Sequence, residues 1–197
     1  MTQLTLLRAA EYPRMPWKNG GGSTEEIARD AGEGLEGFGW RLSIADIAES
    51  GGFSAFAGYQ RIITVLQGAG MTLNIDGKDS EPLLPSDPFA FSGGSAVTCT
   101  LLDGPIRDFN LIYSPSLYRA RLQWIDVMHP QRFFSSAEVF VVFSAAEQMA
   151  ANIGEHPPQL LEKHDCLQLD NTAGSLLEVV LYAPRASRVG VIELSRI

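Results

Sequence analysis

The feature that most constrains this chain is a two-residue period that runs almost from end to end. In FGWRLSIADI, Phe38, Trp40, Leu42 and Ile44 alternate with Gly39, Arg41, Ser43 and Ala45. That is the pattern of a half-buried strand, because successive side chains leave a strand on opposite faces. RIITVLQGAGMTLNIDGK reads as two strands around the turn Gln67-Gly68-Ala69-Gly70, closed by a second turn at Asp76-Gly77. DPFAFSGGSAVTCTLLDG adds a short strand, a Gly93-Gly94 turn and a longer strand. RDFNLIYS, LQWIDV, EVFVVF, DCLQLD, LLEVVLYA and RVGVIEL continue the series. Turn signals return about every eight to twelve residues, so the chain is all-β and folds as a sandwich or barrel. One segment runs against the trend. FSAAEQMAAN places Glu147 three residues after Ser144 and then offers Ala-rich helix formers, which predicts one or two turns of helix.

A length of 197 residues suits one large domain or two fused small ones. Residues 114–137, punctuated by Pro115 and Pro130, separate two β-rich blocks. The predicted organisation is a first barrel over residues 1–113, then a linker and a second, smaller barrel half over residues 114–197, packed together as one folding unit. No run of eighteen apolar residues occurs, so no membrane-spanning helix is expected. The N-terminus carries no basic region, apolar core and cleavage site, which predicts a mature cytoplasmic chain. The net charge of −8 argues against nucleic acid and anionic membranes as partners. The same charge singles out any inward arginine, since an anionic ligand needs a local positive pocket. Cys99 and Cys166 are the only cysteines and form no CxxC pair. They read as reduced, buried thiols rather than a disulfide or zinc ligands.

The candidate chemistry sits in FSAFAGYQRIITVLQGAGMTLNIDG. Its VLxGxGxxxxxxDG tail resembles the first motif of cupins, small double-stranded β-helix barrels open at one mouth. In the metal-binding members of that fold, two histidines separated by one residue, and a glutamate four residues on, precede this strand. Those positions fall here on Ala55, Ala57 and Arg61. Two imidazoles are missing and the carboxylate has become a guanidinium, so the usual divalent metal loses its ligands. His129, His156 and His164 are scattered and offer no replacement spacing. No metal and no cofactor are expected. For Arg61 two readings stay open: a surface strand arginine, or an inward fork for a carboxylate, which guanidinium binds bidentately while staying charged. Arg61 and Ile63 share one strand face.

MPWKNGGGSTEEIARD raises a second question. Its triple glycine lacks the Lys-Ser/Thr of a phosphate loop and opens a strand, not a helix, which argues against nucleotide binding of that kind. Two compatible readings remain. One is a corner that only glycine can occupy. The other is close backbone approach to a ligand at Gly20 and Gly21, with Asn19 donating and Trp17 as an apolar wall. Arg41 is either an exposed ion-pair partner or a second cationic pocket group. Glu26 and Asp108 are read as partners that orient the two arginines, and Asn110 as an amide at the mouth. Trp17, Phe53, Phe56 and Tyr59 are core residues or an aromatic collar.

MPWKNGGGSTEEI, FGWRLSIADI, GGFSAFAGYQRIITVLQG, FAFSGG and RDFNLI, in this order and spacing, resemble the HutD/Ves family. The blocks cover residues 15–112; the second half resembles the family only in length and β character. The family pattern falls on Trp17, Asn19, Gly20, Gly21, Thr24, Glu26, Trp40, Arg41, Ser43, Phe53, Phe56, Gly58, Arg61, Asp108, Phe109 and Asn110. One departure is Phe91-Ser92-Gly93-Gly94, where relatives often carry Asp after the first glycine. The resemblance implies a two-barrel, cupin-like (bicupin) fold with the pocket in the N-terminal barrel, in a bacterial cytoplasmic protein. It links the HutD branch to histidine utilisation and the Ves branch to environmental stress. It implies binding of a small anionic metabolite, a formyl- or formimino-glutamate-like acid, that limits pathway flux. Two Args would then pair its two carboxylates. The alternatives are a metal-independent isomerase or hydrolase acting on an acidic small molecule, with Glu26 or Asp108 as base, and a protein–protein module with a filled mouth. An open sheet edge further predicts pairing into a homodimer.

Overall fold

The computed structural model describes residues 2–17, 20–33 and 35–197. The chain opens with strand β1 (Thr2–Leu7) and a 3-10 turn at Ala9–Glu11. It divides into two compact units, Pro13–Leu117 and a second made of Met1–Tyr12 with Tyr118–Ile197.

The Pro13–Leu117 unit runs through β2 (Arg14–Pro16), β3 (Gly22–Arg29), β4 (Trp40–Ile47), β5 (Gly51–Gly52), β6 (Gln60–Gln67), β7 (Met71–Ile75), β8 (Lys78–Asp79), β9 (Pro88–Ser92), β10 (Val97–Leu101) and β11 (Ile106–Tyr113). These strands form an antiparallel six-stranded sheet, β2-β3-β4-β11-β6-β9, and a four-stranded sheet, β5-β10-β7-β8. Ala45, Ile47, Ile63 and Val65 from the larger sheet join Met71, Leu73, Val97 and Cys99 from the smaller one in a single core cluster. Each large aliphatic side chain buried there contributes about 1.5–3 kcal/mol. The predicted Asp76-Gly77 turn is a two-residue hairpin loop, since Ile75 pairs with Lys78. Both loop residues have positive φ, +50° and +84°, as a type I′ turn requires.

In β4 the Trp40-Leu42-Ile44 face is buried as the alternation predicts. The opposite face is not solvated, however: Arg41 and Ser43 are each 3% exposed. A strand with one polar face reads as half-buried, but here the polar face turns into a cavity.

The second unit contains β1 and β12 (Tyr118–Val127), β13 (Gln131–Ser135), β14 (Val139–Ser144), β15 (Gln148–Ile153), β16 (Gln159–Glu162), β17 (Cys166–Asn171), β18 (Leu177–Tyr182) and β19 (Ser187–Arg196). Its sheets are β1-β17-β14-β19-β12 and β13-β18-β15-β16. Three expectations change here. Residues 114–137 are not a linker: β12 pairs with β19 from Tyr118↔Arg196 to Val127↔Ser187, and Pro115 and Pro130 only mark turns at its ends. The first twelve residues do not join the 13–117 unit. β1 pairs with β17, and Leu4 and Leu6 cover the second core. Asp165 then accepts from Arg8 Nη1 at 2.6 Å and from the Ala9 amide at 2.8 Å. Finally, the Ala-rich segment is a strand. Met149, Ala151 and Ile153 are buried on one face, so the two-residue period outweighs helix propensity. The Ser144 hydroxyl donates to the Ala146 carbonyl instead of capping a helix.

Among the described residues no helix is long and apolar enough to cross a membrane. Cys99 and Cys166 are both free and buried.

Candidate functional site

The antiparallel registers of the larger sheet lay its inward side chains out as a grid. Ile112 lies opposite both Arg41 and Arg61, Asn110 opposite Ser43 and Ile63, and Asp108 opposite Ala45 and Val65. Arg41 and Arg61 therefore sit in one row, two strand spacings or about 10 Å apart at the backbone. The polar end of this grid lines a cavity of about 530 Å³. β4 contributes Arg41, Ser43, Ala45 and Ile47; β11 contributes Asp108, Asn110 and Ile112; β6 contributes Arg61 and β3 contributes Thr24. Met15, Pro16, Trp17, Leu35 and the Gly52–Ser54 and Phe56 segment complete the wall.

Arg61 is 7% exposed. Its Nη2 donates to Asn110 Oδ1 at 2.8 Å and its Nη1 to the Ser54 carbonyl at 3.3 Å. The guanidinium lies 5.1–5.6 Å from the ring centroids of Phe53, Phe56 and Phe91, a cage that replaces part of its lost hydration. Asn110 Nδ2 in turn donates to Asp108 Oδ1 at 2.7 Å. A buried relay Arg61–Asn110–Asp108 results. Two of its atoms, Arg61 Nε and Asp108 Oδ2, are buried and make no hydrogen bond among the described residues. Burial drives both end groups toward their neutral forms. The Arg61 value falls to about 10, mainly through desolvation and further through the Arg41 charge. Asp108 rises to about 7; desolvation outweighs the attraction of Arg61. At neutral pH Arg61 remains a cation.

Arg41 is anchored from behind. Its Nε donates to Glu26 Oε2 at 2.6 Å, and Arg29 Nε donates to Glu26 Oε1 at 2.6 Å. Although burial opposes it, these arginine hydrogen bonds and charges hold the Glu26 carboxyl below its ordinary value. One carboxylate thus serves two guanidinium groups, and the cavity wall keeps an excess of positive charge.

Of the residues singled out from sequence, the cavity gathers Arg61, Arg41, Trp17, Thr24, Phe53, Phe56, Asp108 and Asn110. The solvent-facing alternative for Arg61 and Arg41 does not hold, because both are buried. Glu26 does not line the wall but anchors Arg41. Tyr59 stands behind the collar: its hydroxyl donates to the Phe38 carbonyl at 2.6 Å and its ring packs on Phe38 and Phe56. Asn19 lies outside the described residues. Gly20 and Gly21 do not line this cavity. Gly20 turns the chain with φ +76°, and its amide donates to the Trp17 carbonyl at 3.0 Å. Gly21 accepts from the Ala48 amide at 2.9 Å and lies with Trp17 on a separate, water-sized crevice. Gly22 is the close approach: a Cβ there would strike the Asp46 carbonyl and lie 3.0 Å from the Trp17 ring. That contact seats the indole, whose Nε1 donates to Thr24 Oγ1 at 2.8 Å. Met15, Leu35, Ser43 and Ile112 were not singled out as wall residues. Of these, only Ser43 had a signal, as part of the family pattern on the Arg41 face.

The residues do not fit a cupin metal. Ala55 and Ala57 are exposed loop residues and Arg61 is cationic. Among the described residues no three His, Cys, Asp or Glu side chains cluster to hold an ion. The His164-Asp165 pair lies in the second unit, where Asp165 binds Arg8 and the His164 ring stacks on Phe143.

Comparison with known proteins places the chain. A Pseudomonas putida protein described as an uncharacterized 21.2 kDa protein in the hutC 3' region is 64% identical over 170 residues, 86% of this chain and 88% of that one. Protein Ves of Citrobacter koseri is 35% identical over 68% of this chain and 69% of its own. The structure of HutD from Pseudomonas fluorescens SBW25 superposes with a TM-score of 0.87 at 57% identity, covering 99% of this chain and 100% of that one. Escherichia coli YlbA shares the cupin-like fold alone, at 10% identity and a TM-score of 0.71 over 96% of this chain and 90% of that one. The HutD family model matches residues 9–184. One of these relatives is described by its place in the hutC 3' region and another is HutD itself, and the chain belongs to the HutD family.

Proposed function

We propose that the Pro13–Leu117 unit binds a small carboxylate metabolite of the formyl- or formimino-glutamate type, and thereby meters histidine catabolism in the cytoplasm. The observation that carries this is Arg61: a buried, caged guanidinium that lines the cavity and whose Nε makes no hydrogen bond among the described residues, at the position where metal-binding cupins hold a carboxylate ligand. Buried guanidinium without a full partner set is costly, and an anion relieves the cost. Arg41, one row across, supplies the second cation for a second carboxylate. The ~530 Å³ volume falls in the range of small-ligand sites and leaves room for an amino-acid derivative. The P. fluorescens HutD structure is described as a formate condition, and formate is the smallest carboxylate. In this reading the two units are two cupin-type barrels, the first carrying the ligand and the second structural.

Calorimetric titration with N-formyl-L-glutamate and N-formimino-L-glutamate tests the proposal. Binding that Arg61→Ala weakens by at least about tenfold supports it, since hydrogen bonds to a charged group are worth about 1.5–3 kcal/mol. No heat at millimolar ligand, or unchanged binding in the variant, refutes it. A second reading, a metal-independent isomerase or hydrolase, draws on Asp108, whose value of about 7 suits a general base. Turnover of histidine-pathway intermediates by the wild type, lost in Asp108→Asn, would favour that reading.

A further inference from the structure

Two of the buried atoms left without hydrogen bonds among the described residues, Arg61 Nε and Asp108 Oδ2, belong to the two ends of one relay, and both residues line one cavity. Arg61 Nε is a donor. Asp108 Oδ2 is an acceptor while Asp108 is ionised and becomes a donor once it is protonated. These two states welcome different ligands. An ionised Asp108 repels a carboxylate placed on Arg61; a protonated Asp108 donates to it.

We infer that the cavity takes up a carboxylate together with one proton, with Asp108 Oδ2 becoming the hydroxyl that donates to the same carboxylate held by Arg61. This rests on the carboxylate reading of the cavity and goes beyond it by assigning Asp108 a direct contact and a charge state.

Charge accounting supports the step. The charged and titratable groups around Asp108 are Arg61 from β6, Arg41 and Asp46 from β4, and Cys99 from β10. Arg61 is the cation whose attraction stabilises the Asp108 anion, reaching it through Asn110. Asp46 opposes ionisation. Arg41 shares its charge with Glu26 through Nε and lies one row across from Arg61. A ligand carboxylate on Arg61 therefore competes for the attraction that Asp108 relies on, and adds a like charge beside a side chain that is fully buried. In so dry a site the second negative charge is discharged by a proton from water. Both orphaned atoms are then satisfied by one ligand group: guanidinium Nε–H to one oxygen and carboxyl O–H to the other. Neither needs an additional ligand function.

The inference separates this site from an ordinary arginine clamp. A clamp binds its anion with an affinity that does not change with pH across the neutral range. A proton-linked site weakens as pH rises above the point where free Asp108 ionises, by about tenfold per pH unit.

The test uses the full chain and two probes, N-formyl-L-glutamate and glutarate. Titration calorimetry near pH 8 is run in phosphate and in Tris, which differ strongly in ionisation enthalpy. The expected result is a buffer-dependent heat equal to nearly one proton taken up per ligand, with a dissociation constant rising about tenfold per unit above neutrality. The infrared difference spectrum on binding gains a protonated-carboxyl stretch. Asp108→Asn, which keeps a side-chain donor, loses the buffer dependence, the pH slope and that band. Equal heats in both buffers overturn the inference from the wild type alone, however the variant folds. A pH slope that persists in Asp108→Asn also overturns it. Binding without proton uptake sinks only this inference, whereas absence of any binding sinks the carboxylate reading and this inference with it.

Discussion

Asp108→Asn in the free protein gives the sharpest prediction about stability. The change is isosteric, and an asparagine oxygen can still accept from Asn110, so packing is held constant. In the fold the Asp108 carboxyl is raised from 3.8 to about 7, first by burial and then by Asp46, against the pull of Arg61. An acid whose folded value lies above its unfolded value binds more protons when folded. Its contribution is complete below the unfolded value and is lost as pH climbs to the folded one. The full loss is about 4 kcal/mol at 1.36 kcal/mol per unit, and the part between about pH 5 and pH 8 is about 2–3 kcal/mol. The asparagine variant has no such loss. Guanidinium denaturation of both proteins at pH 5, 6.5 and 8 should therefore show the stability difference moving toward the variant by about 2–3 kcal/mol over that interval. Other titrating groups cancel in the comparison. A difference that stays constant with pH, or that moves toward the wild type, would refute the assignment of Asp108 as a desolvated carboxyl.

Three further outcomes follow from the geometry. Gly22→Ala, which drives a methyl into the Asp46 carbonyl and the Trp17 ring, should cost about 1–3 kcal/mol and shift Trp17 fluorescence. Glu26→Gln leaves Arg41 and Arg29 short of their shared carboxylate and should cost about 2 kcal/mol near pH 7. Because the Glu26 value is depressed in the fold, its stabilisation is present above the unfolded value and fades as pH falls below about 4, so thermal melts of the two proteins should converge there. Deleting residues 1–12 strips β1 from β17, uncovers the cluster beneath Leu4 and Leu6, and removes Arg8 and Ala9 from Asp165, which keeps the Glu162 amide. It should lower the stability of the second unit by about 3–5 kcal/mol, read as lost amide protection in β17 and β14.

Strand identity was legible because it depends on a local period, and tertiary contacts reinforce that period instead of opposing it. The exception proves the mechanism. Gln148–Ile153 contains good helix formers, yet Met149, Ala151 and Ile153 already alternate, and burial follows the alternation. What sequence could not place was the long-range pairing. Nothing in TQLTLL names β17 as its partner some 160 residues on, and a break at 113 looked natural because prolines cluster near it. The actual units close at residues 12/13 and 117/118, where the chain leaves one sheet system and enters the other.

The site was legible to the extent that a strand's period specifies a face. Knowing that Arg61 lies inward, the period puts Ile63 and Val65 beside it. The same rule applied to β11 puts Asp108 with Asn110, and to β4 puts Arg41 with Ser43. What the period cannot supply is register, because sliding one strand by two residues keeps every face and changes every neighbour. Only the pairing of Ile112 with both Arg41 and Arg61 fixes the two guanidinium groups in one row, and only the Asp108↔Ala45 pairing sets a carboxyl two rows deeper. The depth of that carboxyl is what distinguishes this cavity chemically. A carboxylate in the Arg41–Arg61 row would have neutralised the cations and closed the site to anions, as Glu26 partly does for Arg41 from behind. Set deeper, and linked through an amide that carries no charge, Asp108 positions Arg61 without cancelling it. The substitution that would erase this arrangement is therefore not the loss of a charge but the shortening of the relay, which is why Asn110 matters as much as the two groups it joins.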